Sequence, residues 1–181
     1  MQNIYKETMK EIINKQADLL YTTLELVPGF CIKDIIKRLG GQIEICEDGE
    51  LGEGVEARII PIDNNTSFKI FYKKQGIDES YIRFAIAHEL GHLFLHMAHK
   101  DEDGNYKIDG GYNRKSQSIS ILEWEAEEFA AAFLMPEKVF RMKVEEAEEN
   151  CQIEDKFQWL AETFRVPYKS VITRGKSLEI W

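Results

Sequence analysis

All four histidines of this 181-residue chain fall between positions 88 and 99, in His88-Glu89-Leu90-Gly91-His92-Leu93-Phe94-Leu95-His96-Met97-Ala98-His99. The first five residues read His-Glu-x-x-His. On an α-helix, positions four apart lie one above the other on one face, so the imidazoles of His88 and His92 can reach the same metal ion. Glu89 then stands beside that metal, where it can take a proton from water. The pattern works only on a helix, and Arg83-Phe84-Ala85-Ile86-Ala87 leads into it with good helix formers. Gly91 sits inside that helix at a cost of about 1 kcal/mol relative to alanine, which points to a close approach there by a neighbouring backbone or by substrate.

The rest of the chain arranges itself around this helix. Residues 3–26 show helical periodicity, with Ile4, Tyr5, Met9, Ile12, Ile13, Ala17 and Leu20 on one side, until Pro28-Gly29 breaks it. A short helix from Ile32 to Leu39 is expected to end at Gly40-Gly41. The period then changes to two, and Gln42–Glu47, Val55–Ile62 and Ser67–Lys73 read as strands of an antiparallel meander. The metal helix is expected over Glu79–His96, followed by a polar surface loop from Lys100 to Ser118. Ile119–Leu134 reads as a helix stopped by Met135-Pro136, with a glutamate-rich helix to Asn150 and two short helices, Ile153–Phe164 and Pro167–Arg174.

A catalytic metal site of this kind normally has three protein ligands. A downstream histidine in the pattern His-x-x-Gly-x-x-His would need Gly at 95 and His at 98, but Leu95 and Ala98 stand there. His96 lies another turn up the helix and is expected to line the cleft or serve structure, and His99 to lie past the helix end. The better third ligand is a carboxylate of Glu123-Trp124-Glu125-Ala126-Glu127-Glu128, where Glu123 and Glu127 share one face and alanines allow close helix packing. Glu123 is the first choice, with Glu125 and Glu127 as alternatives. Glu127, one turn on from Glu123, is placed to hydrogen-bond a ligand histidine. Glu125 and Glu128 read as part of a solvated face.

Two segments together resemble the ImmA/IrrE metallopeptidases. They are Arg83-Phe84-x-x-Ala87-His88-Glu89-Leu90-Gly91-His92-x-x-Leu95-His96, and Glu123-x-Glu125-Ala126-x-x-Phe129-Ala130-Ala131-x-x-Leu134-Met135-Pro136. The resemblance implies a gluzincin-like site, with one Zn2+ held by His88, His92 and Glu123 and with Glu89 catalytic. It also implies a protein substrate, a helix-turn-helix repressor of a mobile element or stress response. One position departs from the family, which commonly has asparagine where this chain has Glu127. The expected fold class is α+β: a small antiparallel sheet of about three strands packed on a zincin-like helical core. A single domain over 1–181 is expected, divided into N-terminal helices (1–40), sheet and metal-site helices (42–136) and C-terminal helices (137–181).

The reaction such a site performs is peptide-bond hydrolysis, with Glu89 accepting a proton from water and delivering it to the leaving amine. Tyr106, Tyr112 and Arg114 are candidate donors to the oxyanion, Tyr112 as a cleft residue. Strand Ser67–Lys73 could accept an extended substrate if it lies at a sheet edge, or Lys69 and Lys73 could protect that edge from aggregation. A rival reading makes the chain a zinc-containing protein that sequesters a repressor without cutting it. Another takes Trp159–Val171 as a helix-turn-helix, although only Lys169, Arg174 and Lys176 would face DNA. The net charge of −9 opposes non-specific nucleic-acid binding. With no membrane-spanning run and no signal-peptide core, a cytoplasmic location is expected. Cys31, Cys46 and Cys151, odd in number and widely spaced, read as reduced thiols.

Overall fold

The computed structural model describes residues 2–46, 51, 56–63, 66–73, 76, 78–100, 106–108, 119–150 and 155–181. In chain order these form helix α1 (Gln2–Thr23), α2 (Ile32–Arg38), strands β1 (Gln42–Cys46), β2 (Ala57–Ile62) and β3 (Ser67–Lys73), and α3 (Glu79–His92). A π-helical turn (Leu93–Met97) follows, then β4 (Ala98–Lys100), β5 (Tyr106–Ile108), α4 (Ile119–Leu134), α5 (Glu137–Glu149), α6 (Lys156–Phe164) and α7 (Tyr168–Ser177). The fold is α+β, as expected from the change of hydrophobic period. Two compact units emerge: residues 31–130, and residues 1–30 together with 131–181.

In the unit of residues 31–130, α2 ends where the glycines require it. Gly40 adopts φ +78°, and the Gly41 N–H donates to Ile36 O at 2.9 Å, closing the helix with a left-handed turn. The three strands then form one sheet in the order β1-β3-β2. Strands β2 and β3 pair antiparallel, Ile59 opposite Ile70, whereas β1 pairs with β3 in parallel, Ile43 opposite Ile70. The expected meander is therefore corrected at its first connection. A tight hairpin joins strands through about 2–5 residues. The ten positions between Cys46 and Ala57 are enough to carry β2 to the far side of β3.

That order also settles the role of β3. It is the central strand, so neither substrate addition nor edge protection by Lys69 and Lys73 applies to it. Its alternation places Phe68, Ile70 and Tyr72 inside, as a period of two demands. Helix α3 packs against β2 and β3. It starts at Asp78, whose carboxylate accepts the Ser80 N–H at 2.8 Å, and it buries Ile82, Ile86, Ala87 and Leu90. The α-helix ends at His92 instead of His96 and widens into the π turn. Part of the stretch read as loop is also structured, since β4 and β5 pair antiparallel, His99 opposite Lys107. The remainder of that stretch, with Tyr112 and Arg114, lies outside the described residues, as does Cys151.

The other unit is helical. Helix α1 buries Ile13, Ala17 and Tyr21, a narrower stripe than expected, while Ile4, Tyr5 and Ile12 are exposed. Its core includes Phe133, Phe140, Leu160, Phe164 and Val171, with the Phe140 and Phe164 rings 5.6 Å apart. Arg165 at φ 51° turns the chain between α6 and α7, within the segment whose sequence also reads as a helix-turn-helix. Arg174, however, points inward. It is 1% exposed and donates from Nε to Met135 O (3.1 Å) and from Nη2 to Asn14 Oδ1 (2.8 Å), so it is a core residue of this unit. No helix among the described residues is long and apolar enough to cross a membrane.

Candidate metal centre

Helices α3 and α4 bring the site together, and Gly91 is the reason they can. A Cβ at position 91 would lie 2.9 Å from both Cα and the carbonyl oxygen of Ala126, and 3.2 Å from Cβ of Phe129. The close approach expected at Gly91 is thus made by the backbone of α4. Ala126 and Ala130 are fully buried, and Phe94 stacks on Phe129 at 5.8 Å. Glu123, one turn before Ala126, is carried to the histidines by this contact.

The donor atoms converge. His88 Nε2 and His92 Nε2 are 3.0 Å apart. Glu123 places Oε2 at 3.1 Å from the first and Oε1 at 3.6 Å from the second. Tetrahedral bonds of about 2.0–2.1 Å, which zinc makes to nitrogen and oxygen, separate donors by roughly 3.3–3.4 Å. The spacing observed brackets that value, so His88, His92 and Glu123 fit a small divalent cation of this type. Glu125 and Glu127, the alternative third ligands, are not in this group.

Electrostatics around His88 favour positive charge. Burial pushes its ring towards the neutral form, but hydrogen bonds with Glu123 and Glu127 and the charges of Glu89 and Glu123 outweigh this and raise it to about 9. A cation bound between the three donors would meet the same acidic surroundings. Glu127 is largely exposed and lies with Oε2 3.5 Å from Nδ1 of His88, the ring nitrogen turned away from Glu123. Glu127 thus stands beside the far ring nitrogen of His88.

Glu89 is buried, and one of its oxygens (Oε2) accepts the backbone N–H of Ile59 in β2 at 2.8 Å. Nothing in the sequence linked Ile59 to the site. A backbone donor leaves no residue-type signal, and its position depends on sheet order. Two other placements bear on the sequence reading. Of the two roles open to His96, cleft or structure, its position is the structural one. It lies behind His92, with the two Nδ1 atoms 3.0 Å apart, and its side chain is 6% exposed. Glu125 is not solvated. It is buried and accepts from His96 Nε2 at 2.9 Å. The available signal was the pairing of an extra histidine on α3 with an extra glutamate on α4, but helical spacing alone does not say that they meet. For His99 and Tyr106 only the backbone is described, in β4 and β5.

No curated protein matches the chain. Among solved structures, a Mycobacterium tuberculosis transcriptional regulator is similar in fold, with a TM-score of 0.57 at 16% identity. The similarity covers 90% of this chain and 46% of that one, so the chain spans less than half the length of that protein. Residues 70–175, which include α3, α4 and all the donors above, match the family described as the IrrE N-terminal-like domain, a family of metal-dependent peptidases. With more than half of its 181 residues matched, the chain belongs to the IrrE N-terminal-like domain family.

Proposed function

We propose that the protein is a zinc-dependent endopeptidase acting on another protein, a helix-turn-helix repressor being the expected substrate class. The observation that carries this is the convergence of His88, His92 and Glu123 within 4.8 Å, with the charge of Glu89 acting on His88. Zinc held by these three residues would polarise the scissile carbonyl and acidify water towards a pKa of about 7. Glu89 is the general base and then the acid to the leaving amine. The Ile59 N–H fixes one oxygen of its carboxylate and so aims the group. Among the described residues, β2 is the sheet edge next to α3, and a substrate segment must be extended to bring a peptide bond to Glu89. Such a segment must be a flexible linker or locally unfolded. The repressor as target rests on family resemblance, and the likeness in fold to a transcriptional regulator agrees with a regulatory setting.

The test is incubation of the protein with helix-turn-helix repressors of its own organism, with and without a chelator, reading fragments by mass spectrometry, alongside Glu89→Gln. We expect defined fragments only from the untreated wild type. Glu89→Gln should bind zinc as before and cut at least about a hundredfold more slowly, in line with the loss of a general base. A protein that works by sequestration would keep its effect on the repressor in Glu89→Gln and release no fragments.

A further inference from the structure

His92 is 1% exposed, and both of its ring nitrogens are engaged. Nε2 faces His88 and Glu123, whereas Nδ1 faces Nδ1 of His96 at 3.0 Å. His96 in turn meets Oε2 of Glu125 through Nε2 at 2.9 Å, and both of these side chains are 6% exposed. The π turn over Leu93–Met97 makes the stack possible. Its wider winding brings position i+4 more nearly over position i than an α-turn does, so the His92 and His96 rings lie 5.2 Å apart. Glu125 reaches this chain from α4, two residues after Glu123, and points away from the donor cluster.

The order of protons along the chain follows from chemistry. A histidine that binds metal through Nε2 carries its ring hydrogen on Nδ1. The His92 Nδ1–H then needs an acceptor, and the ring atom of His96 that faces it is Nδ1. For Nδ1 of His96 to accept, its hydrogen must be on Nε2, where it donates to Glu125. A His96 carrying hydrogens on both nitrogens would set two N–H groups against each other at 3.0 Å. Metal ligands are commonly oriented by one carboxylate or carbonyl bonded to the far ring nitrogen. Here the carboxylate acts through an interposed imidazole.

We infer that Glu125 and His96 form a buried relay that holds His92 in the tautomer and ring orientation needed for metal binding, making both of them positioning residues of the centre. The inference rests on His92 being a ligand, as proposed above. It assigns a purpose to the π turn and to a carboxylate buried beside, but outside, the donor set.

The experiment measures zinc affinity of the full chain by competition with a chromophoric chelator, together with the 15N shifts of the histidine rings in the zinc-loaded protein. Glu125→Leu and His96→Phe should each weaken zinc by about 10–100-fold. Glu125→Gln keeps an acceptor oxygen and similar volume, and should restore affinity to within about threefold of wild type. In zinc-loaded wild type, His96 should show hydrogen on Nε2 only and His92 on Nδ1 only, a signature that a merely space-filling pair would not give. Wild-type affinity in a folded Glu125→Leu, or a His96 protonated on Nδ1, would overturn the relay alone. Zinc binding that survives His92→Ala unchanged would overturn the relay together with the metal site it serves. If the leucine variant does not fold, the ring shifts of the wild type still decide the matter.

Discussion

Replacing Gly91 by alanine sets two known effects against each other. Alanine is favoured over glycine inside a helix by about 1 kcal/mol, so on propensity alone the variant should be more stable. The added Cβ, however, would stand 2.9 Å from Cα and O of Ala126 and 3.2 Å from Cβ of Phe129. Carbon atoms in contact sit about 3.5–4.0 Å apart, so α3 and α4 must separate by roughly 0.6–1 Å. The obstacle is backbone, which cannot rotate aside, and overpacking of this kind costs about 1–3 kcal/mol. With two backbone atoms in the way, the steric cost should lie in the upper part of that range, about 2–3 kcal/mol, leaving a net loss of about 1–2 kcal/mol, or roughly 2–8 °C in Tm for a chain of this size. The second consequence is functional. Glu123 lies one turn from Ala126, and a shift of that size exceeds the tolerance of about 0.2 Å on metal–ligand distances. Zinc affinity should therefore fall at least tenfold, about 1.4 kcal/mol. Both are measurable, the first by thermal unfolding of the chelated protein and the second by chelator competition. A Gly91→Ala protein as stable as wild type, binding zinc equally well, would refute the claim that helix contact at Gly91 positions Glu123.

Two further outcomes follow from groups placed by the fold. Removing the buried guanidinium with Arg174→Met should leave Met135 O and Asn14 Oδ1 without the bonds it donates, lowering stability by about 1–3 kcal/mol in denaturant unfolding, and an unchanged midpoint would contradict its core role. In metal-free protein His88 titrates at about 9 against an ordinary 6.5. A value raised by folding contributes stability that is complete below pH 6.5 and is lost as pH climbs through 9, amounting to about 3 kcal/mol over that window. Chelated protein should thus lose roughly 6–12 °C of Tm between pH 6.5 and 9, whereas saturating zinc, which binds the neutral ring, should abolish or reverse the trend. A flat profile in chelator would count against the acidic environment assigned to His88.

Much of the architecture was legible from local rules. Ile119–Leu134 is the helix its periodicity and Pro136 announce, and β3 occupies the Ser67–Lys73 alternation. The two segments that resemble the family contain every donor of the cluster, because ligand spacing on a helix is a local property. Sheet order was not legible, since alternation reports which face is buried and not which strand is the neighbour. That is why β3 proved central and β2 became the edge beside Glu89. Glu125 was misread for a related reason: on a helix with glutamates at 123, 125, 127 and 128, spacing shows which share a face and not which face is buried.

By itself, the sequence determined the chemistry available to this protein: two imidazoles and a general base on one helix, and a carboxylate on another. Tertiary structure alone decided which carboxylate meets the imidazoles, how near the helices lie at Gly91, and that His96 stands behind His92 with Glu125. Those are long-range contacts, set by the packing of α3 on α4 and of β2 beside α3, and no periodicity within a single segment encodes them.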